Sequence, residues 1–532
     1  MIRNRLPVGS ADFVALRNNG QIYVDKTDMI FELCSGCSKI FLARPRRFGK
    51  SLLVSTFASL FQNGVRDFKG LAVEKLWTDK TYAVARLDFS KIRDFTDEND
   101  FRILLNDQLI QTFRPLGFDY AEDRGLLMGQ FDAWLARQPK SSLVLLIDEY
   151  DAPLTACLSR KKKPLFENIR KFMSRFFLTV KSNEGALRFW FMTGITKYRQ
   201  TSIFSELNLF TDISFDPHYG TLLGYTEPEI RTNFAAYLDK AAAVLSKTEE
   251  DVMEELRRHY DGYSFDMQAQ THVYCPWSVL KFLQSPHLGF QNYWYESGGQ
   301  PSVLMEYLKG HKLAKPMSFD KTIRMPLSDL GEAREADDIG LEALLTQAGY
   351  FSLRAVLKNG TAVLGYPNEE VRQSMAKLYA RELVKGRAQD DAYEISISEL
   401  FESGTVEEVV KRINEAINAI DYKRFVVTDE ASCRACLQLW LLGASLIPQV
   451  ERHTALGRSD LEVPAGSRHW VFELKYTADG LGEEKLLQAA IDQVKSRRYG
   501  ETPHGGELIR VAMVFNGKAR RFEKWQVVPE SS

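Results

Sequence analysis

Residues 39–62 read KIFLARPRRFGKSLLVSTFASLFQ. KIFLA is a short apolar run of strand type, SLLVSTFASLFQ has helical spacing, and a glycine-containing turn lies between them. The turn fits the phosphate-loop pattern G-x-x-x-x-G-K-[ST] at Gly49, Lys50 and Ser51, with Arg44 in the first glycine position. Gly49 permits a tight turn that aims backbone N–H groups at phosphate, and the helix starting near Lys50 adds the positive end of its dipole. Lys50 is expected to reach the β- and γ-phosphates, and the Ser51 hydroxyl to ligate Mg²⁺. The nucleotide-binding candidates are Arg46, Arg47, Phe48, Gly49, Lys50, Ser51 and Leu52. A plain basic turn between strand and helix can carry the same letters, so the loop needs a partner motif.

Residues 143–149, LVLLIDE, supply that partner. The apolar run ends in Asp148, placed to hold Mg²⁺, and Glu149, placed to polarise an attacking water. Both motifs, in this order in one α/β stretch, point to binding of ATP or GTP. Further strands are expected at 82–90 and 187–195, each separated by helical stretches, which predicts a parallel sheet covered on both faces. Thr193, near the end of the last strand, stands where a γ-phosphate sensor would lie; a simple Thr-Gly turn is the alternative. Arg46, Arg47 and Arg199 are candidates for an arginine finger.

The other chemistry-bearing stretch is GRSDLEVPAGSRHWVFELKY, 457–476. Residues two apart in a strand share a face, so Glu473 and Lys475 point together, and a hairpin turning near Ala465-Gly466 brings Asp460 alongside. Two carboxylates to hold Mg²⁺ and an ammonium to stabilise developing charge suit phosphodiester hydrolysis. That is the PD-(D/E)XK constellation. An ion-paired strand face gives the same pattern. Arg458, Lys495, Arg497, Arg498, Lys518, Arg520 and Arg521 either line a phosphate-binding groove or form a solvated face.

The 532 residues predict three or four domains. With 45% hydrophobic and 26% charged residues the composition is globular, excluding a largely disordered or fibrous chain. A net charge of −1 excludes nucleic-acid binding by bulk charge but not by a local groove. No run is long and apolar enough for a membrane span, the start lacks a secretory h-region, and six cysteines suit a reducing, cytoplasmic setting. Cys34/Cys37 and Cys433/Cys436 have CxxC spacing, but the second pair lies in an apolar helical run where that spacing marks a buried face. Residues 216–345 are mostly of helical pattern, and 344–375 read as helix, strand, turn at Asn359-Gly360, strand, helix, either a winged-helix-like unit or a linker. From about 390 the order is helices, three strands (446–453, 457–465, 469–477), a helix and a strand (508–516).

Several stretches together resemble the predicted AAA-ATPase-like proteins of bacteria and archaea: LPVGSADFVALRNNGQIYVDKTDMI (6–30), RPRRFGKSLL (44–53), IDEYDAPL (147–154), TGITKYRQTSIFSELNLFTDIS (193–214), YCPWSVLKFL (274–283), NYWYESGG (292–299) and LGYPNEEV (364–371). The resemblance spans nearly the whole chain. It implies that Arg44 is the family's normal loop residue, and that the C-terminal region is a PD-(D/E)XK nuclease-superfamily domain. It adds Gln493, with Tyr499, and Glu451 to the site of Asp460, Glu473 and Lys475. Tyr23, Asp25 and Lys26 match a further landmark, where Tyr23 flanks adenine or simply packs.

The expected fold is α/β: a P-loop NTPase parallel-sheet core (1–215), a helical lid with a winged-helix-like linker (216–385), and a restriction-endonuclease-like α/β domain with a mixed sheet (386–532). The expected function is an ATP-hydrolysing switch controlling an Mg²⁺-dependent nuclease, with nucleic acid, chiefly DNA, as partner, defence against foreign DNA as a setting, and a homo-oligomer as a possible assembly. The alternative is a signalling ATPase whose C-terminal domain only binds nucleic acid or protein.

Overall fold

The strands of the first sheet are β1 (Lys39–Ala43), β2 (Ala83–Asp88), β3 (Leu143–Asp148), β4 (Leu187–Gly194) and the two-residue β5 (Thr211–Asp212). They run parallel in the order β2-β3-β4-β1-β5. A parallel sheet has to be covered on both faces, which is why β3 is apolar without alternation and buried at every residue. Trp190 and Met192 of β4 enter one core, under helices Glu98–Phe113, Leu127–Leu135 and Lys163–Ser182. Phe189 and Phe191 point the other way and meet Phe57 on helix Lys50–Asn63. The phosphate-type loop therefore leaves the carboxyl end of β1, and Asp148 closes β3 at the same edge, where ligands of such sheets bind.

This is a computed structural model, and it describes residues 5–157, 163–197, 210–294, 322–330, 340–383, 391–420, 426–444, 446–450, 453–454, 457–497 and 506–529. The described residues up to Val371 form one compact unit and those from Arg372 onward another. No helix among them is long and apolar enough to cross a membrane.

The helical middle of the first unit comprises Glu227–Asn233, Ala235–Leu245, Glu249–Tyr260 and Pro276–Gln284. Thr226 with Glu229, and Thr248 with Asp251, form capping boxes that satisfy the free N–H groups of two of these starts. Their shared core takes in Ile22 from the N-terminal segment. Beyond them β6 (Ile323–Pro326), β7 (Ser352–Val356) and β8 (Thr361–Gly365) form an antiparallel sheet in the order β6-β8-β7. The β7–β8 turn is Asn359-Gly360, with Gly360 at φ +77°.

In the second unit the strands are β9 (Gln449–Val450), β10 (His453–Thr454), β11 (Gly457–Arg458), β12 (Leu461–Ala465), β13 (Arg468–Thr477), β14 (Glu507–Asn516) and β15 (Arg521–Val527). The main sheet is mixed, in the order β15-β14-β13-β12-β9, with only the β13–β14 pair parallel. Helices Val406–Ala419 and Glu430–Gly443 share the core on one face, and helix Glu483–Arg497 packs on the other. Three details differ from the sequence expectation. The expected strand 446–453 is divided: Gln449–Val450 joins the main sheet, while His453–Thr454 pairs with Gly457–Arg458. The stretch 457–465 is two strands, because the chain turns at Ser459-Asp460, where both side chains make hydrogen bonds. A final strand, β15, was not anticipated; it is an edge strand with Phe522 as its one buried residue, so its sequence carries no run of apolar letters.

Cys433 and Cys436 lie buried in helix Glu430–Gly443. Burial pushes the Cys433 thiol well above its ordinary range and that of Cys436 up to about 12, so neither is poised for redox or metal chemistry at neutral pH.

Candidate functional site

In the first unit, Arg46 through Leu52 lie along a cavity of about 550 Å³, of the size that takes a small organic ligand. Gly49 caps the following helix at φ +92°, and Arg47 sits in the left-handed region at φ +69°, a conformation that costs a non-glycine residue roughly 1 kcal/mol. Lys50 is buried, its ammonium donating to the carbonyls of Arg44 and Pro45 at 3.0 Å each. Asp148, at the end of β3, accepts the Glu149 N–H on Oδ1 at 3.0 Å. Glu149, at φ +47°, lies on the cavity wall.

The charges here are unevenly compensated. Burial pulls the Lys50 ammonium below the usual lysine range, against the pull of Glu149, Asp148 and Asp151. Burial likewise pushes Asp148 up, although Ser51 and Lys50 favour its ionised form. The Asp148 carboxylate and the Ser51 hydroxyl are hard oxygen donors of the kind Mg²⁺ takes.

Arg44 does not face the cavity. Its Nη1 donates to the carbonyl of Ser214 at 2.5 Å and Nη2 to that of Tyr219 at 3.2 Å, while the guanidinium lies 4.2 Å from the ring centre of Phe265. Burial lowers its pKa to about 9. Phe48 is buried edge-on to Tyr263 and Phe265, so this residue offers its backbone to the cavity while its side chain anchors the loop. Arg47 stacks 4.4 Å over Trp277 of helix Pro276–Gln284. Loop residues are thus held from the helical middle region.

In the second unit, β12 and β13 pair Leu461 with Phe472. One step further Asp460 would face Glu473 across the ladder. There the chain turns, and the Asp460 side chain takes over as acceptor: Oδ2 receives the Leu474 N–H at 2.9 Å, and Oδ1 lies 3.2 Å from Arg434 Nη1. Trp470, Phe472 and Leu474 fill one core and Val471 the other, so alternation sets Glu473 and Lys475 on the face of Val471, under helix Glu483–Arg497. Glu473 is fully buried. Its Oε1 accepts from Lys475 Nζ at 3.1 Å, and its Oε2 has no hydrogen-bond partner among the described residues. Burial first, then Asp460, push the Glu473 carboxyl up to about 7. Lys475 is held above the usual lysine range: burial opposes this, but Glu473, Glu430 and Asp460 prevail.

Among the described residues no group of three or more His, Cys, Asp or Glu is arranged for a metal. The donors at this site are two carboxylates, and the buried, unpartnered Glu473 oxygen fits a divalent cation.

A model of the family described as "Predicted AAA-ATPase" matches residues 7–204, and one of the PD-(D/E)XK nuclease superfamily matches residues 429–525. A curated relative, the "Uncharacterized protein in vnfD 5'region" of Azotobacter chroococcum mcd 1, is 32% identical over 385 residues, covering 70% of this chain and 70% of that protein. The chain belongs to the predicted AAA-ATPase family. This AAA-ATPase-like protein carries the nuclease-superfamily domain at its C-terminal end, as its mixed sheet and acid–lysine set already indicate.

Of the residues singled out in its sequence, the AAA-ATPase-like module brings Arg46 to Leu52 and Glu149 to one cavity, with Asp148 directly before Glu149 at the end of β3. It does not bring Thr193 there. Thr193 is fully buried and donates to the carbonyl of Leu42 at 2.7 Å, which corrects the sensor assignment: its hydroxyl is spent tying β4 to β1. Asp460, Glu473 and Lys475 come together, and Gln493 is half-buried on the helix covering their face. Glu451, Tyr499, Arg498 and Arg199 lie outside the described residues, as does the side chain of Arg458. Two charges in the basic tail are paired, Arg521 with Glu523 and Lys524 with Glu484, at 2.6 Å each.

Sequence reasoning missed Asp151. Its buried carboxylate accepts the N–H groups of Ile195 and Thr196, at 3.1 and 2.7 Å on Oδ2, tying the end of β4 to the acidic turn after β3. A side chain at Gly194 would meet Asp151 Oδ1 at 2.5 Å, so that position has to be glycine. The acid in IDEYDAP, three residues past Asp148, was the available signal. Also unforeseen are Ser90 and Arg93, which line the cavity from the turn after β2. In the YVDKT segment, Asp25 Oδ1 accepts the Thr27 N–H and hydroxyl, and Lys26 pairs with Glu229 at 3.0 Å. The segment therefore braces the helical region, while Tyr23, edge-on to Phe13, lies on the cavity wall.

Proposed function

We propose that the protein binds and hydrolyses ATP in the first unit and that nucleotide state controls a Mg²⁺-dependent nuclease site in the second. In this reading the ATPase module runs to about residue 215, residues 216–385 relay its state, and the nuclease-like domain begins near 386, as the change of sequence pattern along the chain suggests. The observation that carries the nucleotide assignment is the cavity that Gly49, Lys50, Ser51 and Glu149 line together, with Lys50 held beneath the loop by the carbonyls of Arg44 and Pro45. Gly49, Lys50 and the backbone of Arg46–Phe48 bind the phosphates, Ser51 and Asp148 hold Mg²⁺, and Glu149 orients the attacking water. The cation supplies positive charge against the phosphates.

For the nuclease, support comes from the buried Glu473 oxygen beside Asp460 and Lys475. Asp460 and Glu473 hold a divalent cation, which supplies charge against the scissile phosphate. Lys475 stabilises negative charge on the phosphate oxygens during attack, and Gln493, on the covering helix, orients the strand being cut. Foreign DNA is the substrate, in a cytoplasmic defence role. The test is nicking of supercoiled plasmid by the full chain with Mg²⁺ or EDTA, with and without ATP, alongside release of phosphate from ATP. Nicking that needs Mg²⁺ and is lost in Lys475→Ala supports the reading. Absence of both activities defeats it.

A second reading has one observation in its favour. Both oxygens of Asp460 already have partners, Arg434 and the Leu474 N–H, an arrangement suited to a domain that binds without cutting. ATP hydrolysis stimulated by DNA or RNA that stays intact favours that alternative.

A further inference from the structure

β2 and β3 run side by side with Asp88 in register with Asp148. Just past Asp88 the chain makes a tight turn, Phe89–Ile92, set by the Asp88 carboxylate, which accepts the Ser90 N–H at 3.0 Å and its hydroxyl at 2.6 Å. This turn packs on β3 and on the turn Ala152–Thr155, so it is fixed against the strand end that carries Asp148 and Glu149. Arg93 follows directly and lines the same cavity as Lys50, Ser51 and Glu149.

Besides Arg46 of the phosphate loop, three other cations of that cavity already have structural work. Lys50 caps loop carbonyls, Arg47 is stacked on Trp277, and Lys26 is paired with Glu229. Arg93 differs. Its ion pair among the described residues is with its chain neighbour Asp94, at 3.7 Å, and the Asp94 side chain is 91% exposed, a pairing worth little in water. The Arg93 side chain is half exposed and follows a turn packed against the end of β3. A guanidinium held this way has a fork of N–H donors ready for phosphate oxygens.

We propose that Arg93 is a catalytic arginine supplied by the same chain, contacting the γ-phosphate of ATP from the side of Glu149. The inference rests on the nucleotide reading above and adds a residue to it. In hydrolysis the bond from the water oxygen to the γ-phosphorus forms while the bond from that phosphorus to the β,γ-bridging oxygen breaks. The electron pair leaves with ADP, and the water proton passes by way of Glu149 to solvent. Arg93 neutralises charge on the γ-phosphate oxygens during this exchange, so it acts on the transition state more than on bound ADP.

The test compares wild type with Arg93→Ala and Arg93→Lys in the full chain, measuring kcat and KM for MgATP and the affinity for ADP by calorimetry. Arg93→Ala is expected to lower kcat by about 100-fold or more while ADP affinity stays unchanged, and Arg93→Lys to recover part of the rate. Because the side chain is half exposed, the variants should keep the wild-type unfolding transition, which is measured in parallel. A wild-type kcat in Arg93→Ala overturns the inference alone. Equal losses of ATP and ADP affinity with unchanged kcat also overturn it, since Arg93 would then be a uniform binding residue. A wild-type protein that neither binds nor hydrolyses ATP overturns the nucleotide reading and this inference with it.

Discussion

Asp460 and Leu474 are joined by a side chain-to-backbone hydrogen bond of 2.9 Å at the point where β12 leaves β13, so a carboxylate stands in for a ladder acceptor. The same side chain faces Arg434 with its other oxygen. Asp460→Ala would leave the part-buried Leu474 N–H without its acceptor and remove one ion pair of Arg434, at a cost of about 1–3 kcal/mol. Asp460→Asn keeps a carbonyl oxygen for the Leu474 N–H but loses the charge that holds a cation. Both variants are expected to lose plasmid nicking. Only the alanine variant should also shift the denaturant midpoint of the second unit appreciably.

Glu473→Gln separates fold from function at one position. A buried carboxyl pushed up to about 7 prefers its neutral form, so at pH 8 the folded state carries a charge it holds poorly. The amide removes that charge, although it deprives Lys475 of its nearest carboxylate. The expected net effect at pH 8 is a gain in stability on the order of 1 kcal/mol, smaller at pH 5, where the wild-type carboxyl is largely protonated. Nicking should disappear. A loss of stability at pH 8 would show that the Lys475 pair outweighs the burial cost.

How far the sequence could be read depended on whether the physics was local. The β1 loop and the β3 acids were legible because an apolar run followed by phosphate-binding or acidic residues is itself the signal. Glu473 and Lys475 were legible from strand alternation alone. The role of Arg44 was not, because its acceptors, the carbonyls of Ser214 and Tyr219, lie 170 and 175 residues away along the chain. Thr193 misled for a similar reason: its place at a strand end is a local fact, but its hydroxyl is claimed by Leu42 on the neighbouring strand. Arg93 carries no motif; only the register of β2 against β3 puts it at the cavity.

Arg44→Gly would restore the general phosphate-loop pattern, and the structure predicts harm from doing so. The substitution empties a fully buried site over Phe265 and removes the donors to Ser214 and Tyr219. Stability of the first unit should fall by about 3 kcal/mol or more, with ATP affinity falling too as the loop loosens. Thermal unfolding followed with and without MgATP checks this. A variant of wild-type stability would mean the guanidinium is dispensable as an anchor.

Asp151 gives the first unit a defined pH response. Burial raises this carboxyl from 3.8 to about 6, against the two backbone N–H groups that favour the ionised form. The folded state therefore holds the proton more tightly than the unfolded state does. Its contribution to stability is complete below the unfolded value and is lost as pH rises through about 6. Relative to Asp151→Asn, wild-type unfolding free energy should decline by roughly 2–3 kcal/mol between pH 4 and pH 7 and then level off. Parallel denaturant titrations of the two proteins across that range read the difference directly. A flat difference would mean that Asp151 titrates in the fold as it does in the unfolded chain.

If nucleotide state controls cleavage, the link between the units must be a free energy, because a ligand shifts an equilibrium only by its preference for one state. Lys50 and Lys475 then make an asymmetric pair. Lys475→Ala, in the second unit, should abolish nicking and leave ATP turnover near wild type, since its partners Glu473 and Glu430 belong to that unit. Lys50→Ala removes the ammonium beneath the phosphate loop and should abolish ATP turnover. It should also change nicking, either silencing it or freeing it from ATP control, by at least about tenfold, which corresponds to about 1.4 kcal/mol of coupling. Nicking rates of both variants, measured over a range of ATP concentrations, decide the matter. Identical nicking by wild type and Lys50→Ala at every concentration would show two activities that share a chain without influencing each other.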